Sequence, residues 1–217
     1  MPLLQIALDL WNGEEALALS QRLLPYVDVV EVGTPLLLSC GLSLVERFKE
    51  VVRERLLFVD AKIVDAGEEE AQEVFRRGGD MVSVLGGAAP FTLEGVQRAA
   101  RRWGKRWVVD TIDLVPTSPN VLLLEKLRPD FLALHIPHDV VLKDHGAWEN
   151  VPLPLNLLDK MPLLVAGGIT PDILPRVLEL LRPEVVVIGS AITRSPFPEK
   201  VAEQVRRILD AFAGENS

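Results

Sequence analysis

One thiol in 217 residues, Cys40, rules out an intrachain disulfide and fits a chain kept in a reducing compartment. No acid–base pattern surrounds Cys40, so it reads as an inert loop or core thiol and not as a nucleophile. Long apolar stretches are missing as well, and without a run of about 18 apolar residues no membrane-spanning helix is expected. The chain enters a strand pattern almost at once, so no secretory leader is expected and the expected location is the cytoplasm. Basic surface is scarce: Lys and Arg number 23 against 31 Asp and Glu, a net charge of −8. That balance speaks against a nucleic-acid partner. The basic cluster from Arg98 to Arg106 is broken by Ala and Trp and reads as one solvated helix face. Linkers and low-complexity segments are absent too, so residues 1–217 are expected to form one domain.

What is present is an end-to-end alternation of apolar, β-branched runs with amphipathic stretches. Strand candidates are Leu3–Leu10, Val27–Gly33, Leu56–Lys62, Met81–Leu85, Trp107–Ile112, Phe131–His135, Leu163–Ala166 and Val185–Gly189. Helical periods fall at Glu14–Leu24, Leu42–Arg53, Glu68–Arg77, Leu93–Trp103, Asn120–Leu127, Pro171–Leu181 and Glu199–Phe212. Only the sixth connection, about Lys143–Lys160, lacks such a period, and Pro152 and Pro154 interrupt it. Eight β-α units without an insertion point to an α/β protein, a single closed (β/α)8 TIM barrel. A doubly wound open sheet is the alternative.

The segment Val59-Asp60-Ala61-Lys62-Ile63-Val64-Asp65 stands out because it places three charges at the end of an apolar run. Charged groups are seldom buried unless they are paired or hold a metal. A structural Asp–Lys pair capping a strand end would also account for it. The barrel expectation discriminates, because catalytic groups should gather at the C-terminal ends of the strands. Asp9, Glu31, Asp60, Lys62, Asp65, Asp110 with Asp113 beyond it, and His135 all fall there. Capping alone does not explain so many ionisable groups at one mouth.

Two strand ends are glycine-rich instead: Gly167-Gly168, and Gly189 followed by Ser190. Each precedes a helical pattern, so their backbone N–H groups are expected to bind a phosphate, with Arg194 a few residues further on. Glu31 and Asp60 supply a sparse set of hard oxygen ligands that suits Mg2+, which would chelate a hydroxy-ketone and stabilise an enediolate. Lys62, charged between its acidic neighbours, would hydrogen-bond the oxyanion, and His135 is the natural proton shuttle. His138 and His145 fall in the loop that follows.

The segments Leu4–Asp9, Val30–Leu36 and Asp60–Glu68 resemble 3-hexulose-6-phosphate synthase and its sister 3-keto-L-gulonate-6-phosphate decarboxylase, of the orotidine 5'-phosphate decarboxylase suprafamily. Val82–Gly86, Val108–Asp110, His135, Val165–Ile169 and Ile188–Ile192 extend the resemblance over essentially the whole chain. It implies a homodimer with active sites near the interface, Mg2+ on Glu31 and Asp60, and a phosphorylated ketose substrate. It further implies that Lys62 stabilises an enediolate, Asp65 reaches the partner's site, His135 shuttles protons and Asp9 binds substrate.

Asp110 stands where the decarboxylase has Glu, and Ala66-Gly67-Glu68 departs from the Ile-Pro of the nucleotide decarboxylase. Both favour the synthase, which condenses formaldehyde with ribulose 5-phosphate. Two departures remain: Ile136-Pro137-His138-Asp139 follows neither relative, and Ser190 stands where glycine or arginine is expected. A phospho-sugar decarboxylase is therefore the alternative expectation, and a non-catalytic barrel that binds a phosphorylated ligand is the second.

Overall fold

A computed structural model describes residues 1–215 of the chain except 116, 142, 144–147 and 149–159. His145, Pro152 and Pro154, and with them most of the sixth connection, lie outside the described residues.

Eight parallel strands close into a barrel in sequence order: β1 (Leu3–Leu8), β2 (Val29–Val32), β3 (Leu56–Ile63), β4 (Met81–Leu85), β5 (Arg106–Asp110), β6 (Phe131–His135), β7 (Leu163–Ala166) and β8 (Val185–Ile188). β8 pairs with β1 in register Leu3↔Val185 to Ile6↔Ile188, which closes the ring. This is the expected (β/α)8 architecture. The longer helices expected from periodicity are α1 (Gly13–Leu23), α3 (Ser43–Val52), α4 (Gly67–Arg76), α5 (Pro90–Trp103), α6 (Asn120–Leu127), α8 (Leu174–Leu181) and α10 (Pro198–Glu215). Three short ones were not expected: α2 (Thr34–Cys40), α7 (His138–Val141) and α9 (Ser190–Thr193).

Strand pleating explains how polar groups come to share one space. Side chains alternate across each strand, and the outward set packs under the helices as the main core, with Leu4, Ile6, Val30, Val59, Val82 and Val109 fully buried. The inward set forms a second, smaller core of Val29, Phe58, Met81, Val108, Phe131 and Val185, among others. Two residues further along the same inner faces stand Glu31, Asp60, Ser83 and Asp110, with His135 two beyond the interior Ala133. Apolar layers thus plug the lower barrel, and the next layer up is polar.

The strands begin on a repeated device. The acid immediately preceding each even-numbered strand accepts a hydrogen bond from a backbone N–H of the strand before it. Asp28 takes Leu4, Asp80 takes Leu57, Asp130 takes Trp107 and Glu184 takes Leu163. Each acid's own N–H donates back to the carbonyl of that same residue. The second strand was expected to start at Val27. It starts at Val29 because Asp28 is occupied in this cap.

Candidate active site

The upper ends of the strands surround a cleft of about 400 Å³. The small interior residues Ala7, Ala133 and Ala166 leave its space open, and Phe58, Val108 and Leu164 form apolar parts of its wall. Asp9, Glu31, Asp60, Lys62, Asp110 and His135 all line it, as do Gly167, Gly168, Gly189, Ser190 and Arg194.

Lys62 is the hub. Its Nζ lies 2.9 Å from Asp60 Oδ2 and 2.8 Å from Asp110 Oδ2. Burial alone would lower the lysine pKa, but the charges of Asp60 and Asp110 and their hydrogen bonds raise it above the ordinary value. Lys62 is therefore an ammonium at neutral pH, a donor and not a base. Its backbone is left-handed, φ 47°, a conformation that costs a non-glycine residue about 1–2 kcal/mol.

A break in the β3–β4 ladder accounts for it. Val59 pairs with Val82 and Ile63 with Val84, so Asp60, Ala61 and Lys62 stand opposite Ser83 alone. The excess of two residues keeps Val59 and Ile63 on the same outer face.

Asp110, its side chain only 4% exposed, accepts from Lys62, from His135 Nδ1 at 3.0 Å and from the Ile112 N–H at 2.9 Å. Burial opposes ionisation, but the hydrogen bond and charge of His135, with those of Lys62, hold Asp110 down at about 2. An ionised carboxylate only accepts. His135 Nδ1 must therefore carry the hydrogen, which leaves Nε2 as the ring nitrogen able to exchange a proton.

The opposite side of the cleft is over-supplied with negative charge. Glu31, 6% exposed, is raised well above the usual carboxylate range by burial and by the nearby charges of Asp60 and Asp9. Gln5 donates to Glu31 Oε2 at 2.6 Å and partly offsets this. Asp9 is raised by desolvation and by Asp60. It lies over Gly33, where a Cβ would come within 2.2 Å of Asp9 Oδ1, so any side chain at that position would displace the carboxylate.

These residues fit a divalent cation. Hard carboxylate oxygens face one another with too little positive charge between them, and the buried Gln5 Oε1 beside Glu31 has no hydrogen-bond partner among the described residues. Among the described residues no three Asp, Glu, His or Cys side chains form a ready metal cage. That is the sparse donor set Mg2+ uses with waters and substrate oxygens.

The glycines divide. Gly167 (φ 107°) and Gly168 (φ 64°) are left-handed, and Cβ atoms there would meet Ile136 O at 2.2 Å and Val141 Cγ1 at 2.4 Å. A side chain at either position would be strained. Trp148, not singled out from the sequence, donates its indole N–H to Gly167 O at 2.8 Å and steadies this turn. A Cβ on Gly189 would meet nothing closer than 3.6 Å, so its free space belongs to the cleft. Gly167-Gly168 precedes α8, which begins at Leu174 and so does not follow the glycines directly. Gly189 does precede one directly, the four-residue α9.

Two predicted residues stay out of this chain's cleft. Asp65 is exposed and accepts from the Ala66 N–H, at 2.8 Å. Asp113 accepts from the Gly87 N–H and braces the loop after β4. His138 lines the cleft from its exposed rim. Sequence reasoning gave no role to Thr34, Ser83 or Gln5. Thr34 donates its one hydroxyl proton to the Asp60 carbonyl at 2.8 Å or to Oδ2 at 3.1 Å.

Known proteins share this chain's sequence and fold. A 3-hexulose-6-phosphate synthase of Staphylococcus epidermidis is 30% identical over 207 residues, covering 95% of this chain and 98% of that protein. The crystal structure of 3-hexulose-6-phosphate synthase from Salmonella typhimurium superposes with a TM-score of 0.85 at 34% identity, over 97% of this chain and 99% of that one. A crystal structure of KGPDC from Streptococcus mutans gives a TM-score of 0.83 at 22% identity, over 98% and 99% of the two chains, and shows the shared fold. Residues 2–128 match the profile of the Orotidine 5'-phosphate decarboxylase / HUMPS family. The chain belongs to that family of enzymes.

Proposed function

We propose that this protein is a Mg2+-dependent lyase of the 3-hexulose-6-phosphate synthase type, joining formaldehyde to ribulose 5-phosphate through an enediolate. The observation that carries the reading is the Lys62 ammonium held between Asp60 and Asp110, with His135 on the same Asp110 carboxylate. The names of the relatives that span nearly the whole chain support it.

Removal of a proton from C1 of the ketose gives the enediolate. Its C1 then forms a bond to the formaldehyde carbon, and the resulting alkoxide takes up a proton to become a hydroxyl. Lys62 would donate a hydrogen bond to the oxygen on which charge develops, worth most in a site that excludes water. His135 would exchange protons through Nε2 while Asp110 fixes its tautomer. Glu31 and Asp60 would hold Mg2+, which when bound supplies positive charge for the oxyanion. Gly167, Gly168, Gly189 and Ser190, with Arg194 at the rim, would bind the phosphate, and Asp9 a sugar hydroxyl.

Asp65, exposed and outside its own cleft, is assigned to the neighbouring site of a homodimer. Leu38, Val64 and Phe91, in the segments that follow the neighbouring strands β2, β3 and β4, are 75, 59 and 82% exposed, and a second copy would cover them.

Purified protein should consume formaldehyde only with ribulose 5-phosphate present and lose activity under EDTA. No turnover with Mg2+ present would sink the reading, and CO2 release from 3-keto-L-gulonate 6-phosphate would replace it with the decarboxylase. The dimer has its own test in subunits carrying Lys62→Ala mixed with subunits carrying Asp65→Asn. If the two residues serve one site from different chains, mixing restores up to about one quarter of wild-type activity. No recovery would place both in the same chain.

A further inference from the structure

Ser83 sits in the middle of β4, 1% exposed, where it lines the floor of the cleft. The β3 irregularity leaves three residues of that strand opposite it, so the Lys62 N–H has no ladder partner in the usual register. Ser83 Oγ accepts that N–H at 2.8 Å, and its own proton goes to Asp60 Oδ1, also at 2.8 Å. A hydroxyl has one proton to give, so both directions are assigned: acceptor from the lysine backbone, donor to the aspartate.

Among the described residues one other serine is buried, and it behaves differently. Ser20 donates to the Leu17 carbonyl within its own helix, at 2.8 Å, the local bond expected of a serine that only needs satisfying. Ser83 makes no such local bond. Both of its contacts go to the two residues whose side chains meet at the Lys62–Asp60 ion pair.

We propose, on the lyase reading above, that Ser83 is a positioning residue of the reaction. It pins the left-handed backbone of Lys62 and the carboxylate of Asp60 with one hydroxyl, and so fixes where the ammonium points. Without it the half-buried Lys62 N–H is left without its partner, the bulge relaxes, and the ammonium leaves the place where charge develops. The contacts assigned to Asp9 and to the phosphate-binding glycines are untouched, so the larger loss falls on the chemical step.

Two measurements on Ser83→Ala and Ser83→Thr test this, each against wild type. In the first, hydrogen exchange at the Lys62 amide is followed by NMR. It should be slow in wild type and Ser83→Thr, which keeps the hydroxyl, and at least about tenfold faster in Ser83→Ala. In the second, Ser83→Ala should lower kcat about 10- to 100-fold with KM for ribulose 5-phosphate within about twofold, and Ser83→Thr should recover most of the loss.

Equal amide exchange in wild type and Ser83→Ala overturns the proposal whatever the enzyme's substrate proves to be. So does an unchanged kcat in Ser83→Ala, or an equal loss in both variants. Wild type that turns over nothing counts against the lyase reading alone, because the exchange measurement still decides whether Ser83 holds Lys62. Ser83→Cys, close in volume but a weak hydrogen-bonding group, takes the place of Ser83→Ala if the latter does not fold.

Discussion

The two ends of this barrel carry the same kind of residue and use it in opposite ways. At the lower end Asp28, Asp80, Asp130 and Glu184 each exchange hydrogen bonds with the backbone of the preceding strand. Among the described residues cations answer two of them: Arg206 reaches Asp28, and Lys49 and Lys105 reach Asp80. Although burial opposes it, Asp80 is held below its ordinary pKa by those lysines and by the Leu57 N–H. At the upper end Glu31 and Asp9 are raised, because each faces desolvation and another carboxylate. A carboxylate bonded to strand amides is committed to the fold. One that faces other carboxylates has room for something from outside. The partner of an acid tells more than its presence.

The sharpest break between the two ends comes from Lys62→Ala. It should lower kcat by about 10²–10³-fold, the range for removing one donor from a developing oxyanion, with little change in calorimetric binding of ribulose 5-phosphate. A near-wild-type rate would take Lys62 out of the chemistry.

Asp110 comes next, since it belongs to the upper end yet is held low as the lower acids are. Its folded pKa of about 2 lies below the ordinary 3.8, so its contribution to stability is complete above 3.8 and is lost as pH falls toward 2. Urea unfolding across that window should show wild type losing on the order of 2 kcal/mol more than Asp110→Asn. Parallel curves would mean the Lys62 and His135 contacts contribute nothing to folding.

The smallest effect belongs to Asp130→Asn at the lower end. The amide keeps an acceptor for the Trp107 N–H but loses its charge, so stability should fall by about 0.5–1.5 kcal/mol in urea melts while kcat stays unchanged. A changed kcat would erase the division between the ends.

The strand–helix alternation was legible because burial on both faces writes each strand as an apolar run; Met81–Leu85, Phe131–His135 and Leu163–Ala166 match their expected bounds. The short helices were not, because four residues such as Ser190–Thr193 are too few to show a period. Within the site, charged residues betrayed themselves by standing in apolar strands. Ser83 did not, since an uncharged residue inside Met81–Leu85 disturbs no pattern, and its importance depends on a ladder irregularity in another strand. The lower acids could have been found: an Asp or Glu stands immediately before each even-numbered strand. That regularity appears only when strand starts are compared with one another.

The closing register has a consequence for how the molecule is made. Lys62, His135 and the four acids of the cleft are all in the chain by residue 135. Yet β1 finds its second neighbour only when Val185–Ile188 pairs with Leu3–Ile6. Until then a growing chain holds an open sheet with a bare edge, the arrangement most prone to join another chain. Synthesis of the last strand is thus the moment at which an aggregation hazard turns into an enclosed reaction vessel. Loss of that strand should send the chain to inclusion bodies rather than leave a weakened catalyst.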